Sequence, residues 1–555
     1  MKATPSPVFR CLSVVLPLLL VVSCAHVVPD PETPVVGPYP PRAVPPAAAS
    51  DVTPKPMAAA TRGEPPPALP ALPPPLTLTL QEAILMALAG NQALAIEKIT
   101  PQIRRLGEEQ ARATFDPRLT GQLSADHART DDDATNDGVL AQTAVQKFFP
   151  TGTTVAIGAT AVSRSYGGSS MSPDSNPVST NLSVTQALLR GAGQEVNLVH
   201  LRQARFDTLN SDFELRGFAQ ALLSDTEKSY WDYVLVQRQT EIYQRSLELA
   251  DKQRSETAER IRLGKLAGSE LAAADAEVAL RREDLINAQS SRDKQRIRLL
   301  RLLNPGGGDM WRHDIRTTTL PAVTEILLEP VETHVALALK MRPDLNQARL
   351  AIQRNELELI KTKNGLLPKL DLFMTLGGSQ YADSFGNATR AFENDNYSAA
   401  VGLAFDWPVF NRAAIATHQT TRLTQRQVDE SLANLTLLAQ QDVYNAHLEV
   451  QRANAQIRAT ETTRKAQEEK LRGETKKFRL GKSTSLQVGQ AQRDLLSSQI
   501  AEVEAILAYM KAFVDLYRLD GTLLETRGIQ APGATPVIFD PRPPAPPPPA
   551  AKPVP

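Results

Sequence analysis

Apolar residues recur at helical spacing along most of this chain, and the pattern gives way to alternation in a few short stretches. Over 79–113 the landmarks Leu80, Ile84, Leu88, Leu94, Ile99 and Ile103 predict an amphipathic helix that Pro117 ends. Residues 196–262 run almost without Pro or Gly, which at 1.5 Å per residue is roughly 100 Å of helix. Ordinary globular helices are far shorter, so this one belongs in a coiled coil or an elongated bundle. Gly264 stops it, and a further helix covers 270–303. The same order returns: helix over 333–365, Pro368, a second helix of roughly 100 Å over 411–478, Gly481, and helix over 486–520. In each half the two shorter helices together about match the long one, so stacked end to end they can run alongside it.

Between the helices the period becomes two. Tyr397, Ala399, Val401, Leu403, Phe405 and Trp407 alternate with Ser398, Ala400, Gly402, Ala404 and Asp406, giving one apolar face and one small or polar face. Leu370, Leu372, Met374 and Leu376 alternate in the same way, as do Leu119 and Leu123, and Val155, Ile157, Ala159 and Ala161. Leu182 and Val184 mark one more strand. The first half thus predicts four strands, near 118–127, 140–148, 153–163 and 180–187, and the second half two. Strands of this length cross a bilayer when tilted, and the connections are long and polar on one side but short at F-P-T-G (149–152). One chain has too few strands to enclose a lumen, and an open edge is not viable in lipid, so closure must come from further copies.

The two halves also share words. R-I-R-L-G-K at 260–265 returns as K-F-R-L-G-K at 477–482, and F-D-P-R-L at 115–119 as L-L-P-K-L at 366–370. An internal repeat of this length is a duplicated α–β–α unit, too long for a solenoid. Gly264 to Leu271 spans two more residues than Gly481 to Leu486, so the two glycine tips are related but unequal.

The N-terminus has a different character. Lys2 and Arg10 precede an apolar run over 11–22, which fits a secretory signal and is too short to span a membrane as a helix. The run ends V-V-S-C, which resembles the bacterial lipoprotein box; that resemblance makes Cys24 the lipidated first residue after cleavage, with an ordinary secretory signal as the alternative. Ala25 in place of Asp favours the outer membrane by the same resemblance. The other cysteine, Cys11, lies in the removed peptide, so no disulfide is expected. The expected organisation is signal peptide 1–23, Pro/Ala-rich tether 24–77, first repeat 78–305, linker 306–332, second repeat 333–525 and Pro-rich disordered tail 526–555.

Composition narrows the classes further. Lys+Arg and Asp+Glu both number 61, which argues against a nucleic-acid surface. Aromatics are only 5%, which suits long helices rather than a large aromatic core. The seven histidines (His26, His127, His200, His313, His334, His418 and His447) show no metal-ligand spacing, and no nucleophile elbow, Walker loop or dinucleotide motif is present. Asp131–Asp133 reads as a solvated loop before it reads as a calcium site. No enzyme chemistry, cofactor or metal is expected.

Over residues 78–525 the chain resembles the TolC-type outer membrane efflux proteins. The resemblance rests on the duplicated helix–strand–strand–helix unit, the two glycine tips and the proline after each first helix. T-Q-A-L-L-R-G at 185–191 and F-D-W-P-V-F-N-R at 405–412 are similar to that family's strand-to-helix exits. It implies mixed α and transmembrane β structure: a homotrimeric β-barrel continued by a long periplasmic α-helical barrel. It implies a periplasmic adaptor and an inner-membrane pump or secretion ATPase as partners. Carried onto this sequence, Arg262, Leu263, Gly264 and Lys265, with Arg479, Leu480, Gly481 and Lys482, become adaptor-docking tips. The tunnel entrance falls on Asp275, Gln487 and Gln490. The family places acidic residues where Gln487 and Gln490 stand, so weaker cation binding is expected. The family unit has two strands per copy, whereas the first half here reads as four, with an elaborate extracellular loop over 129–164 as the alternative. The other classes that the pattern allows are a trimeric coiled-coil adhesin and a periplasmic scaffold.

Overall fold

A computed structural model describes residues 75–129, 135–167, 176–306, 310–319, 321, 328–382 and 397–537. The signal peptide, Cys24, most of the tether and the Asp131–Asp133 run lie outside the described residues. The body opens with strand β1 (Leu76–Leu78) and a helical run in three pieces: α1 (Leu80–Gly90), α2 (Gln92–Glu97) and α3 (Thr100–Arg112). Four strands come next, β2 (Arg118–Arg129), β3 (Thr135–Phe148), β4 (Thr153–Gly167) and β5 (Asn176–Ala187). After them stand the 64-residue helix α4 (Val199–Arg262) and its return α5 (Ser269–Leu303). Strand β6 (Ile315–Thr317) leads to the second unit: α6 (Val331–Met341), α7 (Pro343–Asn364), β7 (Lys369–Ala382), β8 (Tyr397–Asp406), the 68-residue α8 (Arg412–Arg479) and α9 (Ser485–Leu519).

The strands form one antiparallel sheet in the order β2-β3-β4-β5-β7-β8. All four expected strands of the first half are present, and β5 pairs with β7 to join the repeats. The helices form two antiparallel hairpins, α4/α5 and α8/α9, with α9 also packed on α4 and α7 lying against both long helices. The shorter helices of each unit do lie along its long one: α3 and α5 on α4, α7 and α9 on α8.

The expected helix over 79–113 is broken. Asn91 leaves the helical region and its side-chain oxygen accepts from the Leu94 amide, so it ends α1 and caps α2 at once. The helix over 333–365 breaks likewise, because Pro343 forces Arg342 into extended backbone. Three domain boundaries also shift. The tether's last residues are strand β1, paired in parallel with β6 inside what reads as the linker. Tyr230 and Tyr233 of α4 fix that pair by donating to the carbonyls of Leu78 (3.1 Å) and Ile315 (3.0 Å). The tail is still on the body at residue 537, where the Val537 amide donates to Asn346 Oδ1 at 2.9 Å. Proline content marks where a chain cannot propagate regular structure, not where it stops packing.

The main apolar core lies where β1 and β6 cross the bundle. Leu78, Ala83, Tyr230, Trp231, Leu299 and Ile315 are all buried there. A second cluster joins Val443 and Val450 of α8 to Tyr509, Phe513 and Leu516 of α9. Buried ion pairs close the C-terminal turn onto α4: Arg527 donates twice to Glu227, both at 2.7 Å, and Arg216 pairs with Glu525. His334 Nδ1 meets Asp520 Oδ2 at 2.8 Å, tying α6 to the end of α9.

Candidate functional site: hairpin tips and the strand-to-helix joint

Both tips close by the same backbone device. Past α4, the Lys265 amide donates to the Arg260 carbonyl (2.8 Å) and the Gly264 amide to that of Ile261 (2.9 Å). Past α8, Lys482 donates to Lys477 (2.9 Å) and Gly481 to Phe478 (3.0 Å). These bonds satisfy last-turn carbonyls and require a left-handed residue. Gly264 and Gly481 supply it, with φ of +69° and +74°. Leu263 and Leu480 stand outward, 55% and 73% exposed, at the apex.

The tips differ at the start of the returning helix. Thr484 caps α9 through a reciprocal box in which its side chain accepts from the Gln487 amide and Gln487 Oε1 accepts from the Thr484 amide. Gly268 begins α5 without a side-chain cap. The first turn is therefore longer and less fixed, in keeping with the spacing of the two sequences. Across the pair, the Arg260 guanidinium lies 5.1 Å from the Phe478 ring centroid, and Ser485 donates to Glu270.

The residues expected at the entrance lie behind these tips, and two of the three are already engaged. Asp275 takes the Arg254 guanidinium, whose own pKa is raised by that bond. The Gln487 side chain accepts from Ser483 (2.7 Å) as well as closing the capping box. Gln490 is exposed. Sequence reasoning missed the cluster that ties the hairpins together. Buried Arg281 donates to Glu277 (2.6 Å) and Asp284 (3.0 Å), and Arg493 of α9 donates to the other oxygen of Glu277 at 2.8 Å. Gln492 donates to Gln253 at 2.7 Å beside it. The i, i+4 spacing of Glu277 and Arg281 was visible; the long-range partner was not. Among the described residues no group of histidine, cysteine and acidic side chains is arranged to hold a metal.

At the other end three asparagines build the joint between sheet and helices. Asn197 Nδ2 donates to the carbonyls of Pro150 (3.1 Å), Gly191 (2.8 Å) and Gly193 (3.0 Å). Asn364 accepts from the Gly191 amide at 2.8 Å, and Asn411 donates to Leu366 at 3.2 Å. Both exits singled out in the sequence, 185–191 and 405–412, lead into this joint.

Residues 335–522 match the family described as outer membrane efflux protein. No curated protein matches by sequence. Solved structures agree on the fold. The chain is similar to CusC at 16% identity and a TM-score of 0.62, covering 80% of this chain and 92% of that one. The CmeC outer membrane channel of Campylobacter jejuni gives 15% identity, a TM-score of 0.62 and coverages of 80% and 86%. The outer membrane protein VceC of Vibrio cholerae gives 17%, 0.60, and 80% and 96%. The chain thus shares the fold of these solved structures, a sheet continued by long helices, rather than that of an adhesin stalk.

Proposed function

We propose that this chain is the outer membrane channel-tunnel of a tripartite efflux or type I secretion system, and that it works as a homotrimer. In this reading it is a passive conduit: an inner-membrane pump or secretion ATPase supplies the energy, and a periplasmic adaptor docks on the tips. Cys24, once acylated, holds the chain on the outer membrane through the tether. The observation that carries the reading is one sheet with two open edges and an apolar face, attached to two helical hairpins of roughly 100 Å. Open edges are excluded from lipid unless other copies close them, and helices of that length reach far below the bilayer.

Two measurements test it. The purified protein should fractionate with the outer membrane, migrate as a heat-modifiable oligomer and give single-channel currents in a planar bilayer; a monomer without conductance would defeat the conduit. Replacing Leu263 and Leu480 together by Asp places charge at both apices, and adaptor crosslinking should fall at least tenfold while the oligomer persists. Unchanged crosslinking would remove the tips from the docking surface.

A further inference from the structure

The hairpin β3–β4 has no counterpart in the second repeat, where β7 runs directly into β8. We propose that it is inserted in the bilayer as part of the barrel wall, so that each chain contributes six strands and a trimer eighteen. The proposal rests on the channel reading above and adds to it the width of the membrane pore.

Cross-strand register carries the argument. One row of paired residues crosses the whole sheet as Leu119, Val145, Ile157, Leu182, Leu376 and Ala399. Every member is apolar, and the five larger side chains are solvent-exposed in the single chain. The adjacent row on the opposite face, one residue along, reads Thr120, Ala144, Gly158, Asn181, Gly377 and Ser398. In these two rows the extra hairpin therefore repeats the apolar-out, small-or-polar-in pleat of its neighbours, in phase with them. A loop standing in water has no reason to keep that phase, because a slip of one residue would reverse its faces at no cost.

Two further observations fix its depth. The F-P-T-G turn is built into the joint: Asn197 holds the Pro150 carbonyl, and the amides of Ala187 and Gly193 donate to Gly152 and Thr151, both at 3.1 Å. The turn thus lies level with the strand-to-helix exits, and both strands start from there. They have 14 and 15 residues, enough to cross a bilayer when tilted. Strand β2 reaches the rest of the sheet only through them. Barrel diameter grows about linearly with strand number, so eighteen strands make a wall about half as wide again as the twelve of two strands per repeat. Size selection then belongs to the helical tunnel and not to the membrane pore.

The test uses single cysteines in the full-length, membrane-embedded protein: Ile157→Cys and Gln142→Cys on the hairpin, Val401→Cys and Ser398→Cys on β8 as matched positions. A water-soluble maleimide should label Gln142→Cys and Ser398→Cys at least tenfold faster than Ile157→Cys and Val401→Cys. A bimane on either of the two slow positions should be quenched by brominated phospholipid. Fast labelling of Ile157→Cys, without lipid quenching, while Val401→Cys stays protected would place the hairpin outside the bilayer and overturn the proposal. If Val401→Cys also labels fast and escapes quenching, the sheet is not in lipid at all, and the channel reading falls with it.

Discussion

Tyr233 lies wholly inside the protein, and its hydroxyl donates to the Ile315 carbonyl where two distant segments meet. Burial first, and then the charge of Asp314, push its pKa up to about 12. The neutral form is the one folding favours, so its contribution is complete below the ordinary tyrosine value near 10 and is lost as pH rises toward 12. Thermal stability of the detergent-solubilised protein should therefore fall between pH 10 and 12, and Tyr233→Phe should flatten that slope while costing about 1 kcal/mol at neutral pH. A slope unchanged in the variant would assign it to other groups. Arg527 makes a different kind of contact. Its partner Glu227 is fully buried, so Arg527→Ala strands a carboxylate. The expected cost is about 3 kcal/mol, the low end for a broken buried pair, because Arg527 is itself one-third exposed. The double variant Arg527→Met with Glu227→Gln should recover most of it in the same melting experiment.

The elements depend on a few backbone positions, and glycines show why some are stricter than others. A Cβ on Gly264 or Gly481 meets nothing, so replacement by Ala costs only the left-handed backbone, about 1 kcal/mol. At Gly152 the φ is +86° and a Cβ would stand 2.3 Å from the Gly191 carbonyl oxygen, so the turn must move off the joint. Gly152→Ala should lower the yield of heat-modifiable oligomer several-fold while Gly481→Ala leaves it nearly unchanged. Equal yields would mean that the turn does not matter to assembly. This difference could not be read from the sequence, where all three are single glycines in polar surroundings. Period and punctuation did locate both long helices to within three residues and all six long strands, because amphipathic spacing and Pro or Gly stops are local properties. The break at Asn91 and the β1–β6 pair were not legible. The first depends on a side chain choosing its own backbone over the helix. The second joins segments that flank an entire repeat.

At the scale of the whole molecule, the proposed channel would meet cations through the charge near its expected entrance. Sequence placed Asp275, Gln487 and Gln490 there. The structure leaves Gln487 occupied with its capping box and Asp275 neutralised by Arg254. The acidic residue best held between the hairpins is Glu277, and it is shared by Arg281 and Arg493. In the proposed homotrimer, a ring built from three copies of such paired groups would offer a divalent ion little free negative charge. Millimolar magnesium added from the periplasmic side should thus reduce single-channel current only weakly. Arg254→Gln frees Asp275 and should increase block several-fold, and Asp275→Asn on that background should abolish the gain. Strong block of the unaltered channel that Asp275→Asn leaves intact would put the cation site elsewhere. The same reasoning separates closure from charge. Arg493→Ala frees Glu277 without touching Asp275, and it removes the tie between hairpins, so its expected signature is a larger mean conductance rather than a change in block.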